Sequence, residues 1–223
     1  MTATPIWHPS PNFTERRKGA EPDIIVLHAT AMASCEEALA RLCDPAAEVS
    51  AHYLISETGT VWKMVDEAQR AWHAGSGQWC DVTDVNSRSI GVELANPMWH
   101  PFPEPQMAAL EGLLQTLQKR HAISPSRVIA HSDMAPDRKN DPGPRFDWAR
   151  LEKQGLARHR ARDDGPDAPN AALFRAVAQA AGYTADVNDT DLLRAVRLRY
   201  RPHATGPLVS EDFAPLGQAA LWT

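Results

Sequence analysis

Between His131 and Pro144 the sequence reads HSDMAPDRKNDPGP, a stretch that gathers a histidine, three aspartates, an arginine and a lysine among prolines and a glycine. A second histidine, His28, closes the apolar run DIIVLH. Two imidazoles and one carboxylate make the three-ligand set of a catalytic zinc site, which leaves a fourth position for water. Asp133, Asp137 and Asp141 are the local carboxylates. Asp141 precedes Pro142 and Gly143, and a Pro-Gly turn fixes an aspartate in extended backbone. Asp133 would point the same way as His131 if that strand continued, so spacing leaves both open, with Asp141 ahead. Water activated at such a site needs a base. In SIGVELAN the alternation puts Glu93 on one face with Ser89 and Gly91, opposite Ile90, Val92 and Leu94. Glu93 can take a proton and return it to a leaving amine. Lys139, two residues before Asp141, projects to the same side in an extended loop and offers a fixed charge to a developing oxyanion. Each residue also has a plainer reading, as a core histidine, an exposed strand glutamate or a solvated loop lysine.

The elements that must position these groups follow from the apolar pattern. DIIVLH, Asp23 to His28, is short, continuous and β-branched, as a strand buried on both faces should be. In SCEEALARLCD, Ser34 and Glu37 form a capping box, and Ala38, Leu39 and Leu42 recur at helical spacing. SAHYLIS, TVWKMV and SIGVEL read as strands, the first two joined through ETG as a hairpin, so the sheet is mixed. PEPQMAALEGLLQTLQKRHAI is a long amphipathic helix whose stripe is Met107, Leu110, Leu113, Leu114 and Leu117. RVIAH is a strand ending on His131, and DWARLEKQGLAR is a helix capped by Asp147. The predicted architecture is therefore α/β, a mixed central sheet flanked by helices over residues 1–157. The charged, aperiodic stretch at 158–170 reads as a linker. A small three-helix unit over 171–223 follows, with helices around Ala171–Ala181, Thr190–Tyr200 and Ser210–Trp222, too small for much core of its own. If the strands ending in His28 and His131 are neighbours, both imidazoles reach one ion at the carboxyl edge of the sheet, where open α/β folds gather ligand groups.

Composition narrows the partners. A net charge of -5 gives no basic footprint for nucleic acid. The odd number of cysteines, Cys35, Cys43 and Cys80, without CxxC spacing argues against a disulfide framework or a thiolate metal site, and a reducing compartment fits. The N-terminal stretch lacks the apolar core of a signal peptide, and no run reaches the roughly 20 residues of a membrane span. These features predict a cytoplasmic protein; a trimmed export or lipoprotein segment is the alternative.

Taken together, LHAT, SAHYLI, QRAWHAG, NSRSIGVEL and AHSDMAPDRKNDPGPRFDW resemble the zinc-dependent N-acetylmuramoyl-L-alanine amidase family, over roughly residues 5 to 155. The likeness is greatest to its cytosolic anhydro-muropeptide branch and the lipoprotein relative of that branch. The C-terminal ALFRAVAQAAGY and RAVRLRYRP are similar to a three-helix peptidoglycan-binding domain, although a GP precedes the last helix in place of the usual small polar turn. The resemblance implies Zn2+ on His28, His131 and Asp141, proton transfer at Glu93 and oxyanion stabilisation by Lys139. It chooses Asp141 over Asp133 and returns Asp133, Asp137 and Arg138 to loop-shaping or solvated roles. Where some relatives use a tyrosine in place of the glutamate, this sequence has Ala51. The implied reaction is hydrolysis of the amide between N-acetylmuramic acid, in its 1,6-anhydro form, and L-alanine of the stem peptide. That substrate is rich in carboxylates, so Arg70, Asn86, Arg88 and the segment Trp72, His73 and Ala74 are candidates for its groove, with His73 as a neighbour that orients a ligand. A non-catalytic peptidoglycan-recognition module is the competing class. A two-metal phosphoesterase would need a second carboxylate cluster.

Overall fold

Residues 4–162 and 164–217 are described by a computed structural model. In chain order its strands are β1 (Ile6–Trp7), β2 (Phe13–Glu15), β3 (Ile24–Ala29), β4 (Tyr53–Ile55), β5 (Val61–Lys63), β6 (Gln69–Ala71), β7 (Ser89–Leu94) and β8 (Val128–Ala130). Its helices are α1 (Cys35–Cys43), α2 (Val85–Arg88), α3 (Glu104–His121), α4 (His131–Met134), α5 (Trp148–Lys153), α6 (Ala171–Ala180) and α7 (Asp189–Tyr200). Six strands form one sheet in the order β1-β5-β4-β7-β3-β8, and β2 pairs with β6 separately. The β4–β5 pair is antiparallel and the other neighbours in the large sheet are parallel, giving the mixed sheet that the hairpin requires.

The inner strand β3, flanked by β7 and β8, is buried along its whole length because helices cover both faces. On one face, Ile25, Leu27, Ile90, Val92 and Leu94 meet Met107, Leu110, Leu113, Leu114 and Leu117 of α3. Each fully buried leucine there stabilises the fold by about 1.5–3 kcal/mol. On the other face, Ile24 and Val26 meet Val85, Ile129 and Met134 together with Phe174 and Val177 of α6 and Leu192 and Val196 of α7. The C-terminal helices thus pack directly against the layer that underlies the sheet's functional edge. A third cluster seats α1 on Leu54 and Met64 through Ala38 and Leu42. The Ser34 hydroxyl accepts the Glu37 N–H at 3.2 Å and starts α1 where the capping pattern places it.

The structure departs from the sequence pattern in three places. RVIAH does not remain extended through its histidine: β8 ends at Ala130, and His131 opens the helical turn α4. The Asp133 carboxylate accepts the Ala130 N–H at 2.8 Å and closes that turn, so a strand reading of Asp133 fails. The third C-terminal helix, expected over Ser210–Trp222, is two 3-10 turns, Ser210–Asp212 and Ala214–Leu216, as far as described; Pro215 and Gly217 (φ 74°) punctuate them, and 218–223 lie outside the described residues. The stretch 158–170 has no regular element among its described residues, yet Arg158 donates to the carbonyls of Ala181 and Leu216, at 2.7 and 3.1 Å. Among the described residues no helix is long and apolar enough to cross a membrane, and Cys35, Cys43 and Cys80 are free.

Candidate metal centre

Sheet order brings the candidate residues together. β3 lies between β7 and β8, His28 is in register with Glu93, and the residue after β8 is His131. The Nδ1 atoms of His28 and His131 stand 2.9 Å apart, and Asp141 Oδ2 lies 3.2 Å from the first and 3.1 Å from the second. Ser132 donates its N–H to the Asp141 carbonyl at 3.1 Å, tying the turn that carries His131 to the end of the aspartate loop.

Hydrogen bonds behind the imidazoles settle which nitrogens hold protons. His131 Nε2 lies 3.0 Å from the Ala74 carbonyl, which can only accept, so Nε2 is protonated and, in the neutral ring, Nδ1 presents a lone pair. For His28 the same conclusion comes through a relay. Ser89 gives its hydroxyl proton to the Val85 carbonyl at 2.5 Å, so its oxygen accepts from His73 Nε2 at 3.2 Å. His73 Nδ1 is then an acceptor for His28 Nε2 at 3.0 Å. Gly91 makes room for this chain, since a Cβ there would fall 2.4 Å from His73 Cγ. Burial, with the neighbouring His131, pushes His28 down to about 4, and burial with the surrounding histidines also lowers His73, so both stay neutral near pH 7. Two lone pairs and a carboxylate oxygen therefore converge, within 4.8 Å of one another. Lone pairs at 2.9 Å repel unless a cation lies among them, and two neutral nitrogens with one anionic oxygen suit a divalent zinc-like ion.

Glu93 and Lys139 line the same pocket, a cavity of about 430 Å³. Glu93 Oε2 is shielded from solvent and has no hydrogen-bond partner. Burial first, then the nearby Asp141 charge, raises Glu93 to about 8, and Lys139 opposes the rise. Lys139 does not reach the pocket from an extended loop: its N–H and that of Arg138 both donate to the Ala135 carbonyl, folding the segment into a turn.

The residues predicted for the groove separate. Trp72 and His73 line the pocket. Ala74 is fully buried and serves through its carbonyl, and Asn86 is turned inward, accepting the N–H groups of His73 and Ala74 at 3.1 and 2.8 Å. Arg70 pairs with Asp84 at 3.2 Å. Arg88 pairs with Asp23 in a second open groove of about 730 Å³, beside Arg17 and Asp84. Ala74, Asn86, Arg70 and Arg88 are thus absent from the pocket wall, because local carboxylates or backbone groups claim their polar atoms. Residues not anticipated take their place: Arg41 and Met98 line the pocket, and Arg138 does so while donating to the carbonyls of Ala74 and Ser76. Arg41 follows Ala38 by one helical step, so helical spacing was its available signal. Ala51 is buried with only a methyl group and no proton to exchange, and the Tyr53 hydroxyl is committed to Glu67.

A family model described as N-acetylmuramoyl-L-alanine amidase matches residues 18–144. N-acetylmuramoyl-L-alanine amidase AmiD of Escherichia coli K12 is 38% identical over 149 residues, covering 60% of this chain and 53% of AmiD, so the match spans about half the relative's length. The 1,6-anhydro-N-acetylmuramyl-L-alanine amidase AmpD of Enterobacter cloacae is 34% identical over 160 residues, covering 64% of this chain and 86% of AmpD. Among solved structures, E. coli AmiD in complex with the substrate anhydro-N-acetylmuramic acid-L-Ala-D-gamma-Glu-L-Lys superposes with a TM-score of 0.79 at 30% identity, covering 92% of this chain and 95% of that one.

Proposed function

Since the chain belongs to the N-acetylmuramoyl-L-alanine amidase family, we propose that it hydrolyses the amide between the lactyl group of N-acetylmuramic acid and L-alanine, acting on 1,6-anhydro-muropeptides in cell-wall recycling in the cytoplasm. The observation that carries the reading is the convergence of His28 Nδ1, His131 Nδ1 and Asp141 Oδ2 beside Glu93, whose Oε2 is shielded from solvent and without a hydrogen-bond partner.

His28, His131 and Asp141 would hold the Zn2+. When bound, zinc supplies Lewis-acid polarisation of the scissile carbonyl and lowers the pKa of water. The chain's own residues supply the rest. The Ala74 carbonyl and the Val85–Ser89–His73 relay keep both imidazoles in the tautomer that donates a lone pair. Glu93 accepts the proton of the attacking water and delivers it to the departing alanine nitrogen as the carbon–nitrogen bond breaks. That role needs Glu93 ionised when water attacks, and Lys139 is the protein group that opposes its raised pKa. Lys139 also supplies positive charge where the carbonyl oxygen becomes an oxyanion. Arg41, Arg138 and Lys139 give the pocket of an otherwise acidic chain the cations that a carboxylate-bearing stem peptide requires.

A second reading, a periplasmic or lipoprotein-derived amidase acting on larger wall fragments, is favoured by the breadth of the likeness to AmiD, which at 92% of the chain includes the C-terminal helices. Incubating the purified chain with anhydro-muropeptides and with intact sacculi separates the two. Release of stem peptide from the soluble substrate alone supports recycling, and release from sacculi supports the second reading. Turnover that persists after chelation and dialysis would sink the metal-dependent mechanism in either setting.

A further inference from the structure

Asp133 stands two residues beyond His131 and takes no part in the proposed chemistry, yet its side chain is 0% exposed. Its partners come from two parts of the chain. Oδ2 accepts the N–H of Ala130, the residue before the histidine, at 2.8 Å. From the C-terminal part, Arg199 of α7 donates to Oδ2 at 2.6 Å and the hydroxyl of Tyr183, in the connection between α6 and α7, donates to Oδ1 at 2.8 Å. Arg199 also donates to the Val128 carbonyl in β8 at 3.1 Å and lies 4.0 Å from the centre of the Trp148 ring. A buried guanidinium and carboxylate persist only when paired and hydrogen-bonded in this way, so losing either partner leaves an uncompensated charge.

The connection between α6 and α7 grips the other flank of His131. Cys80 donates its N–H to the Gly182 carbonyl at 2.9 Å, Thr184 donates its hydroxyl to the Cys80 carbonyl at 2.6 Å, and Trp79 meets the Tyr183 ring edge to face at 5.0 Å. The approach is close enough that a Cβ on Gly182 would fall 2.5 Å from Trp79. The loop so held also carries Ala74, whose carbonyl orients His131. Arg194 of α7 donates to the Pro136 carbonyl, inside the loop that joins His131 to Asp141.

We infer that the C-terminal helices are a built part of the metal centre, with Asp133, Arg199 and Tyr183 as positioning residues that fix His131 and the loop to Asp141. The inference rests on the metal site proposed above. Groups that orient ligands from behind commonly change metal affinity 10- to 100-fold when removed. The test is zinc affinity by chelator competition, and the visible absorption of the Co2+-loaded full chain, for wild type, Tyr183→Phe, Arg199→Met and Arg197→Met. Arg197 lies on the same helix and pairs with Asp212 at 2.6 Å, so its variant loses a comparable ion pair without touching Asp133. Tyr183→Phe should lower affinity by about 10-fold and Arg199→Met further, both with altered Co2+ spectra, while Arg197→Met keeps wild-type values. If Arg199→Met does not fold, Tyr183→Phe decides. Wild-type affinity and spectrum in Tyr183→Phe, or an equal drop in Arg197→Met, overturns the inference. A wild-type chain that takes up no metal overturns the site reading as well, which distinguishes the two failures.

Discussion

Replacing Glu93 with glutamine removes a carboxyl group whose ionisation the fold resists, and the consequence is measurable without substrate. In the metal-free protein burial and Asp141 raise Glu93 from an ordinary 4.5 to about 8. The folded state therefore holds this proton more tightly than the unfolded state does. A raised folded pKa contributes stability that is complete below about pH 4.5 and is lost as pH rises through about 8. The loss runs at about 1.4 kcal/mol per pH unit in that window and flattens near its upper end. Between about pH 6 and pH 8, wild type should lose about 2 kcal/mol relative to Glu93→Gln. His28 and His52, lowered by burial to about 4 and about 3, push the opposite way, since stability rises with pH up to the ordinary imidazole value. They are common to both proteins and cancel in the difference. The assay is chemical denaturation of metal-stripped wild type and Glu93→Gln across that range. Added zinc should flatten the difference, because a nearby cation favours the carboxylate. A difference that stays constant with pH in the stripped proteins would refute the argument that burial keeps Glu93 protonated.

Other perturbations reach different parts of the site. Asp141→Ala should emerge from chelation and reloading without stoichiometric metal, as measured by elemental analysis; full occupancy would remove Asp141 from the ligand set. Lys139→Met should lower kcat by about 100-fold. It should also move the acidic limb of the rate profile to higher pH, since Lys139 is the charge that lowers Glu93; an unmoved limb would separate the two residues. Gly91→Ala places a methyl group 2.4 Å from His73 Cγ and should cost about 1–3 kcal/mol of stability with weakened metal binding, read by thermal melting with and without zinc. Wild-type melting in both states would show that the histidine relay tolerates displacement.

Much of the fold was legible because its signals are local. The apolar run of β3 and the leucine stripe of α3 each announce their own burial, and both are fully covered in the structure. Polar residues closing apolar runs also stand out, as His28 and His131 do. The extended reading of the residues after Ala130 failed because a carboxylate two residues beyond His131 bends the backbone back, an effect no propensity encodes. Asp133 looked like a loop residue since its main partners, Tyr183 and Arg199, lie 50 and 66 residues away in sequence. Arginines in the groove were misplaced for a similar reason: charge identifies Arg70 and Arg88, but only the fold shows that Asp84 and Asp23 already claim them.

The chain from His28 through His73 and Ser89 has a further consequence, for proton traffic. It ends at the Val85 carbonyl, and the path from His131 ends at the Ala74 carbonyl. A peptide oxygen accepts a hydrogen bond but does not pass a proton onward at neutral pH. Both routes are blind conductors. A proton taken from water in the proposed reaction therefore has no exit through the interior, and it must leave by way of Glu93 on the amine product or through the open pocket. The number of protons in flight at the transition state, read by a proton inventory in mixed H2O and D2O, should reflect Glu93 alone.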